Sequence, residues 1–364
     1  MPVLVPLVTS PARGFVDGLR RAWERGDAVL PVDHRLPAAA QRDLAVSLGA
    51  GEPVEAGDAL VMATSGTTAL PRGVVLNHAA VEASALATSR RLDVDPGRDT
   101  WLSALPLAHV GGLSVIARAL VLGVPFTFDW DDPACTLTSL VPTQVQRLSP
   151  GALHRFRHVL VGGSADWGAA ERPDNVVHTY GMTETGSGVV YDGLPLDGVD
   201  VRVDPADSQV WLRGPMLLRA YRHGPAPFDA AGWLPTGDAG WLEEEPGAGA
   251  VGGRLHILGR LDDVIVTGAE KVWPDAVERA LRAAAGVAEV AVAGRPDAEW
   301  GQRVVAFVVP ASPAAPPSLD ALRDAVKASL PPWCAPKELV LVESLPRTAI
   351  GKVIRKSLRT VDDD

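Results

Sequence analysis

The sequence predicts an α/β fold in two parts. The first is a large N-terminal domain of mainly parallel, helix-covered sheets with a β-rich segment, and the second a small α+β C-terminal domain. Three observations carry that expectation. At 364 residues the chain is long enough for two folding units. From about Ala59, short apolar runs alternate with helical patterns, as strands joined by covering helices do. After Gly193 the alternation gives way to short strands separated by Gly and Pro, and past Arg260 to a compact strand-and-helix pattern. The expected domains are residues 1–259 and 260–364.

Taken in order, residues 1–58 are weakly patterned, with one expected helix in FVDGLRRAWERG (15–26). ALVMATSG (59–66) reads as a buried strand entering a loop, followed by the helix NHAAVEASALATSRRL (77–92) with Asn77 available as N-cap. WLSALPL, PFTFDW and HVLVGGS read as strands, and GGLSVIARALVLG (111–123) as a helix. SQVWLRGPMLL, GWLPTGDAGWLEEE and RLHILGR follow as short strands of an antiparallel kind. The C-terminal part reads as helix PDAVERALRAAAG, strands VAEVAVAG and RVVAFVVP, helix SLDALRDAVKASL and strand KELVLVESLP. In its first helix Val277, Ala280, Leu281 and Ala284 share one face, as docking on a sheet requires. The Pro-rich 310–318 is expected to be a loop.

Composition narrows the functional classes. A net charge of −10 argues against general nucleic-acid binding, which needs a basic face. Cys135 and Cys334 stand far apart without other ligands nearby, so neither a disulfide framework nor a zinc module is expected, and a reducing cytoplasm fits. The N-terminal apolar run carries two prolines and no preceding basic residue, so no signal peptide is expected. No run of about 18 apolar residues suggests a membrane span.

Several stretches bear chemistry. In ATSGTTALPRG (63–73), a glycine-containing turn after a strand offers backbone N–H groups to phosphate oxygens. Thr64, Ser65, Thr67 and Thr68 add hydroxyls, and Arg72 adds charge. Pro71 stands where the second Walker glycine would be, and alone the stretch reads equally as a solvated loop. TYGMTETG (179–186) offers Tyr180 to stack on a base and Glu184 for Mg2+, though as a bare string it is also an ordinary strand end. PTGD sets Asp238 just past a turn, suited to a ribose diol, but most such triplets are only turns.

GRLDDVIVTGAEKVWP (259–274) sets Arg260 beside Asp262 and Asp263, reading as a hinge or a linker. PRTAIGKVIRK (346–356) carries Lys352 in a basic run that is commonly a solvated face. GAGAVG (247–252) matches a dinucleotide-binding pattern but follows an acidic stretch, so a hairpin loop is expected. His154 and His158 have helical spacing without acidic or sulfur partners, so no metal site is expected there. The acidic 362–364 reads as a frayed tail.

In their order and spacing, TSGTTALPRG, PLAHVGGL, YGMTET, TGD, GRLDDVIVTGAEKVWP and PRTAIGK resemble the adenylate-forming superfamily, over about residues 58–356. That group holds acyl- and aryl-CoA synthetases, nonribosomal-peptide adenylation domains and luciferases. TYGMTETGSGVVYDGLPLDGV (179–199), PLAHVGGLSV (106–115) and the abbreviated N-terminus are most similar to short, actinobacterial-type o-succinylbenzoate–CoA ligases of menaquinone biosynthesis.

The resemblance implies ATP and Mg2+ as cofactors, with CoA and 2-succinylbenzoate as substrates. It implies that Thr64, Ser65, Gly66, Thr67, Thr68 and Arg72 hold the ATP phosphates, and that Gly163 and Ser164 border an adenine stacked on Tyr180 beside Gly181. Thr183 would contact the α-phosphate, Glu184 would hold Mg2+, and Asp238 and Arg260 would bind the ribose. His109, Gly111, Gly112, Ser187 and Gly188 would line the acyl pocket. Lys352 would be the adenylation lysine, and Asp262 the hinge of a small, mobile C-terminal lid domain that brings the loop 266–271 to the site for thioester formation.

Two positions depart from the family. Ala69 replaces a usual glycine, and in a left-handed backbone would be strained by about 1–2 kcal/mol. Arg72 replaces a usual lysine, keeping charge and adding a fork of donors. Alternative readings are a CoA ligase for another aryl or short acyl acid, an adenylating enzyme serving a carrier protein, and a nucleotide binder without catalysis. Expected partners are small molecules only, with no nucleic acid; a homodimer is compatible with the chain but argued by no residue.

Overall fold

The apolar run AVLPV forms β2 (Ala28–Val32), buried along its whole length as an interior parallel strand requires. It belongs to a five-stranded sheet ordered β1 (Leu4–Val8), β2, β3 (Asp58–Thr64), β4 (Arg72–Asn77) and β14 (Ala220–Tyr221). In this computed structural model the described residues are 1–10, 12–64, 71–149, 151–163, 172–243, 253–347 and 353–359. Strands β1 to β3 run parallel, and β4 and β14 antiparallel.

A seven-stranded sheet follows in the order β11 (Leu194–Pro195), β10 (Ser187–Tyr191), β9 (Val176–Met182), β8 (His158–Gly162), β7 (Leu137–Leu140), β5 (Trp101–Leu102) and β6 (Phe126–Thr127). It is parallel from β6 to β9 and antiparallel from there to β11. The helices of this part are α1 (Ala12–Glu24), α2 (Ala38–Ser47), α3 (His78–Arg91), α4 (Val110–Leu122) and α5 (Pro142–Val145). Asn77 caps α3 by accepting the Ala80 N–H at 2.8 Å, as its sequence position suggests. Helix α4 packs on α3, β7 and β10, which explains its nearly continuous apolar sequence.

A four-stranded sheet is ordered β12 (Asp200–Val203), β13 (Gln209–Arg213), β15 (Leu234–Glu243) and β16 (Arg254–Arg260). The last sheet is ordered β18 (Glu270–Val272), β17 (Ile265–Thr267), β20 (Gly301–Pro310) and β19 (Val287–Asp297), with β21 (Glu338–Leu341) parallel to β20. Its helices are α6 (Pro274–Arg282), α7 (Leu319–Lys327) and α8 (Arg355–Leu358). Val277 and Leu281 of α6 are fully buried against this sheet with Ala280 and Ala284 beside them, the face the sequence marks. By contacts the chain divides into two compact units: Met1–Arg202, Trp211–Pro235 and Leu242–Leu255 in the first, and Val203–Val210, Thr236–Trp241 and His256–Asp364 in the second. No helix of the described residues is long and apolar enough to cross a membrane.

The structure corrects several local expectations. Residues 1–58 hold two strands and a second helix besides α1; prolines inside LVPLV and AVLPV obscure their strand character. The next described element after β3 is not α3 but β4, whose RGVVLN is too short to stand out beside the helix that abuts it. WLSALPL and PFTFDW contribute two paired residues each. PTGD lies inside β15, not after a turn. GAGAVG, apart from what precedes it, and the acidic tail lie outside the described residues.

Among the described residues four that are not glycine have positive φ: Asp93, Asp192, Ser208 and Ala269. Gly268 and Ala269 form the two-residue connection of β17 and β18, with Thr267 paired to Glu270, and both have positive φ (59° and 70°). Such turns favour glycine or asparagine, and alanine there carries a steric penalty. Ala269→Gly is therefore expected to stabilise the protein, by about 1 kcal/mol in denaturant unfolding, the reverse of the usual effect of a new glycine.

Candidate active site

In the first unit, two antiparallel hairpins present the expected residues. The β3–β4 hairpin closes on a Thr64–Arg72 pair, with the Thr64 hydroxyl donating to the Arg72 carbonyl at 3.3 Å. Ser65, Gly66, Thr67, Thr68 and Ala69 fall between them, outside the described residues. The Arg72 guanidinium lies over the Tyr221 ring, 5.5 Å from its centroid. Tyr221 sits on β14 opposite Val74 of β4 and donates its O–H to Glu184 Oε1 at 3.2 Å. Its pKa is pushed up to about 12, by burial first and then by the Glu184 charge and the hydrogen bond to it. The phenol thus remains a donor across the physiological range.

Glu184 belongs to a 3-10 turn, Thr183–Thr185, linking β9 to β10. Fully buried Thr185 fixes this turn, accepting from the Met182 N–H at 2.9 Å and donating to the Ser187 carbonyl at 2.6 Å. The Thr183 carbonyl accepts the Gly186 N–H at 3.1 Å, and the Glu184 carbonyl accepts the Leu218 N–H at 2.7 Å. Glu184 carries one side-chain hydrogen bond among the described residues, so a carboxylate oxygen stays available. Tyr180 lies on β9, and Gly181 faces Gly188 of β10. A Cβ at Gly181 would strike the Ser187 backbone, so the close approach of the two strands requires glycine. Gly163 directly follows β8; Ser164 lies outside the described residues.

His109 precedes α4, and its carbonyl opens the helix by accepting the N–H groups of Gly112 and Leu113. Gly111 and Gly112 form the first turn. Burial pulls the His109 pKa below its ordinary value, while Asp33 raises it and Arg35 lowers it. Its Nε2 is buried with no partner among the described residues.

The sequence reading passes over Arg118. This residue sits in the middle of α4 and is only 2% exposed. Its Nη2 donates to Ser187 Oγ at 2.5 Å, and that hydroxyl donates to Ser114 Oγ at 3.3 Å. Nε and Nη1 have no hydrogen-bond partner among the described residues, and the guanidinium lies 5.6 Å from the Trp101 ring centroid. Burial pulls its pKa below the ordinary arginine value. A cavity of about 20 Å³, room for one water, adjoins it, lined by Leu60, Leu76, Val81, Leu113, Ser114 and Arg118 among others. The signal was available: Arg118 is the one charged residue in GGLSVIARALVLG.

The second unit carries another pair. Arg260 Nη1 donates to the Thr236 carbonyl at 2.9 Å and to Asp238 Oδ1 at 3.2 Å. Gly237 has φ 71°, a left-handed conformation that favours glycine, and a Cβ there would lie 2.7 Å from the movable end of Arg260. Asp262 lies in a 3-10 turn, Leu261–Asp263, directly after Arg260. Lys352 lies outside the described residues. The structure therefore groups Thr64, Arg72 and Glu184 through Tyr221, and Asp238 with Arg260.

Residues 20–221 match the AMP-binding enzyme family, and residues 276–352 match the AMP-binding enzyme C-terminal domain. A probable 2-succinylbenzoate–CoA ligase of Mycobacterium tuberculosis is 39% identical over 344 residues, covering 86% of each chain. The o-succinylbenzoate CoA synthetase of Bacillus subtilis in complex with the acyl-adenylate OSB-AMP shares the fold at a TM-score of 0.81 and 24% identity, covering 99% of this chain and 88% of that one. The same synthetase with ATP and magnesium gives 0.80 at 24% identity, covering 98% and 89%.

A buried cation without an anion is costly. Arg118→Met, which keeps much of the volume, is expected to stabilise the unliganded protein by about 1–3 kcal/mol in denaturant unfolding. A loss of stability would show that the guanidinium is already compensated.

Proposed function

Because the chain belongs to the AMP-binding enzyme family, we propose that it is an AMP-forming acid–thiol ligase that makes 2-succinylbenzoyl-CoA for menaquinone biosynthesis. A carboxylate oxygen of the acid attacks the α-phosphorus of ATP, and pyrophosphate leaves. The CoA thiolate then attacks the acyl carbon of the adenylate, and AMP leaves. No general base is needed for the first step, since the acid is already ionised at neutral pH.

The obstacle is the approach of anion to anion, and each residue has a part in lowering it. Thr64, Ser65, Gly66, Thr67, Thr68 and Arg72 hold the β- and γ-phosphates. Gly163, Ser164, Tyr180 and Gly181 take the adenine, Asp238 and Arg260 the ribose, and Thr183 the α-phosphate. Glu184 suits Mg2+, because one carboxylate with phosphate oxygens is a common Mg2+ ligand set and its remaining oxygen is available. The ion supplies charge neutralisation at the phosphate oxygens. Tyr221 fixes the Glu184 carboxylate by its obligate O–H donation.

Lys352 donates to the α-phosphate as charge develops in the first step. Between steps the domain 260–364 reorients about Asp262 and brings the loop 266–271 forward. His109, Gly111, Gly112, Ser187 and Gly188 border the acid. On the same reading the enzyme works in the cytoplasm, and a homodimer is compatible with the chain.

The observation that carries the choice of acid is Arg118. 2-Succinylbenzoate has two carboxylates; with the succinyl group adenylated, the ring carboxylate remains ionised. A buried guanidinium whose Nε and Nη1 have no partner among the described residues would offer that group charge-assisted hydrogen bonds beside Ser114 and Ser187, provided the one-water cavity next to it widens to admit the carboxylate. Arg118 at once explains its own cost and the preference for a dicarboxylate.

Purified protein with ATP and Mg2+ is expected to release pyrophosphate with 2-succinylbenzoate and not with benzoate, salicylate or short fatty acids, and to form the thioester when CoA is added. Glu184→Gln should lower pyrophosphate release by about 10²–10³-fold. Release with another acid alone would overturn the substrate; release from none would overturn the enzymatic reading.

A further inference from the structure

A strand of only two residues ties the turn that bears Glu184 to another sheet. Glu184 lies between β9 and β10 of the seven-stranded sheet, whereas β14 belongs to the five-stranded one. The chain from Leu218 to Tyr221 meets Glu184 twice. The Leu218 N–H donates to its carbonyl at 2.7 Å, and the Tyr221 O–H donates to its Oε1 at 3.2 Å. Strand pairing alone holds β14 by little, with Ala220 opposite Val75 and Tyr221 opposite Val74. A pairing that slips by one residue turns every side chain to the other face, so so short a strand needs its register set from outside.

Between those two contacts lies Arg219, directly before the first paired residue of β14. Its N–H donates to the Val75 carbonyl at 2.8 Å. Its guanidinium takes Asp58 of β3 in a fork, Nε to Oδ1 at 2.7 Å and Nη2 to Oδ2 at 2.9 Å. The remaining Nη1 donates to Glu55 Oε1 at 2.7 Å. Asp58 is 2% exposed, and its Oδ2 also accepts the Glu55 N–H at 3.2 Å. On the far side of Tyr221, the Arg222 N–H donates to the Gly73 carbonyl at 2.7 Å and its Nε to the Leu48 carbonyl at 3.1 Å. A buried ion pair gains little stability over apolar residues of the same volume, and fixing a register is its best-attested use. A guanidinium fork on a carboxylate adds direction to that choice.

We propose that Arg219, held by Asp58, is a positioning residue for Glu184: the fork sets where β14 joins β4, and so places the Leu218 N–H and the Tyr221 hydroxyl against the turn that carries the carboxylate. The proposal rests on the reading of Glu184 as the Mg2+ residue. All three side-chain nitrogens of Arg219 are committed to Asp58 and Glu55, so it acts through Tyr221 and not on phosphate. Groups that orient a metal-ligating side chain typically matter by about 10–100-fold in metal affinity or activity.

The chain has three tyrosines, Tyr180, Tyr191 and Tyr221. Protein labelled with fluorotyrosine therefore gives few fluorine resonances, and Tyr221→Phe identifies the one that reports on Glu184. The test variant carries Asp58→Asn and Arg219→Met together, which leaves no lone buried charge. Without metal, its Tyr221 resonance should move towards the position seen in Glu184→Gln. With ATP and 2-succinylbenzoate, the free Mg2+ giving half-maximal pyrophosphate release should rise by about 10–100-fold. A control removes another two-bonded pair, Asp200→Asn with Arg213→Met. It should leave the resonance in place and the Mg2+ requirement within about twofold, as exposed ion pairs contribute little. Arg219→Lys keeps a charge opposite Asp58 without the fork and should move both readouts the same way, so the test survives a double variant that fails to fold. An unmoved Tyr221 resonance, an unchanged Mg2+ requirement, or equal changes in the control would overturn the proposal. If Glu184→Gln itself leaves the Mg2+ requirement unchanged, the reading of Glu184 falls and the proposal with it, a failure recognised without any Arg219 variant.

Discussion

Bringing a carboxylate against a triphosphate is the constraint to which the chemistry-bearing residues answer. Negative charge has to be gathered, oriented and then released, and most of the positions described above do one of these. Glu184, proposed to hold Mg2+, is itself an anion and needs its geometry fixed. Tyr221 does the fixing: its burial beside Glu184 keeps the phenol protonated, so it gives a hydrogen bond and never adds charge. Arg72 in turn lies over the Tyr221 ring, so β4 and the turn that bears Glu184 share one aromatic anchor.

The sheets serve that arrangement. Both large sheets are parallel through their interiors and turn antiparallel at the hairpins that present the site. A parallel connection needs a long crossover, whereas a hairpin delivers a short loop held on both sides by paired strands. The 3-10 turn at 183–185 is held in this way. Arg118 stands apart as a buried cation whose Nε and Nη1 have no partner among the described residues, a burial that costs stability.

Much of this was legible in the sequence. The helices and strands of the C-terminal part follow from periodicity because each buries one clear face, as Val277 and Leu281 do. The order of the motifs pointed to ATP chemistry. What escaped was long-range. Tyr221 meets Glu184 and Arg72 only through the pairing of β14 with β4, which no local pattern encodes. Strand β4 was hidden by the helix that follows it, and β1 and β2 by their prolines. Arg118 was visible as a lone charge in an apolar helix, but its significance depends on the absence of a carboxylate around it among the described residues. Asp263 was noticed as a neighbour of Arg260, whereas the fold gives Arg260 to Asp238 and Asp263 to Arg355 and Arg359.

The most direct test of the central claim compares 2-succinylbenzoate with 3-benzoylpropionate, the same keto acid without the ring carboxylate, in the parent and in Arg118→Met. If Arg118 receives that carboxylate, the parent prefers the dicarboxylate by about 10²-fold or more in kcat/KM for pyrophosphate release, and the variant loses most of that preference. A parent enzyme indifferent to the ring carboxylate, or a variant that keeps the full preference, would contradict the account.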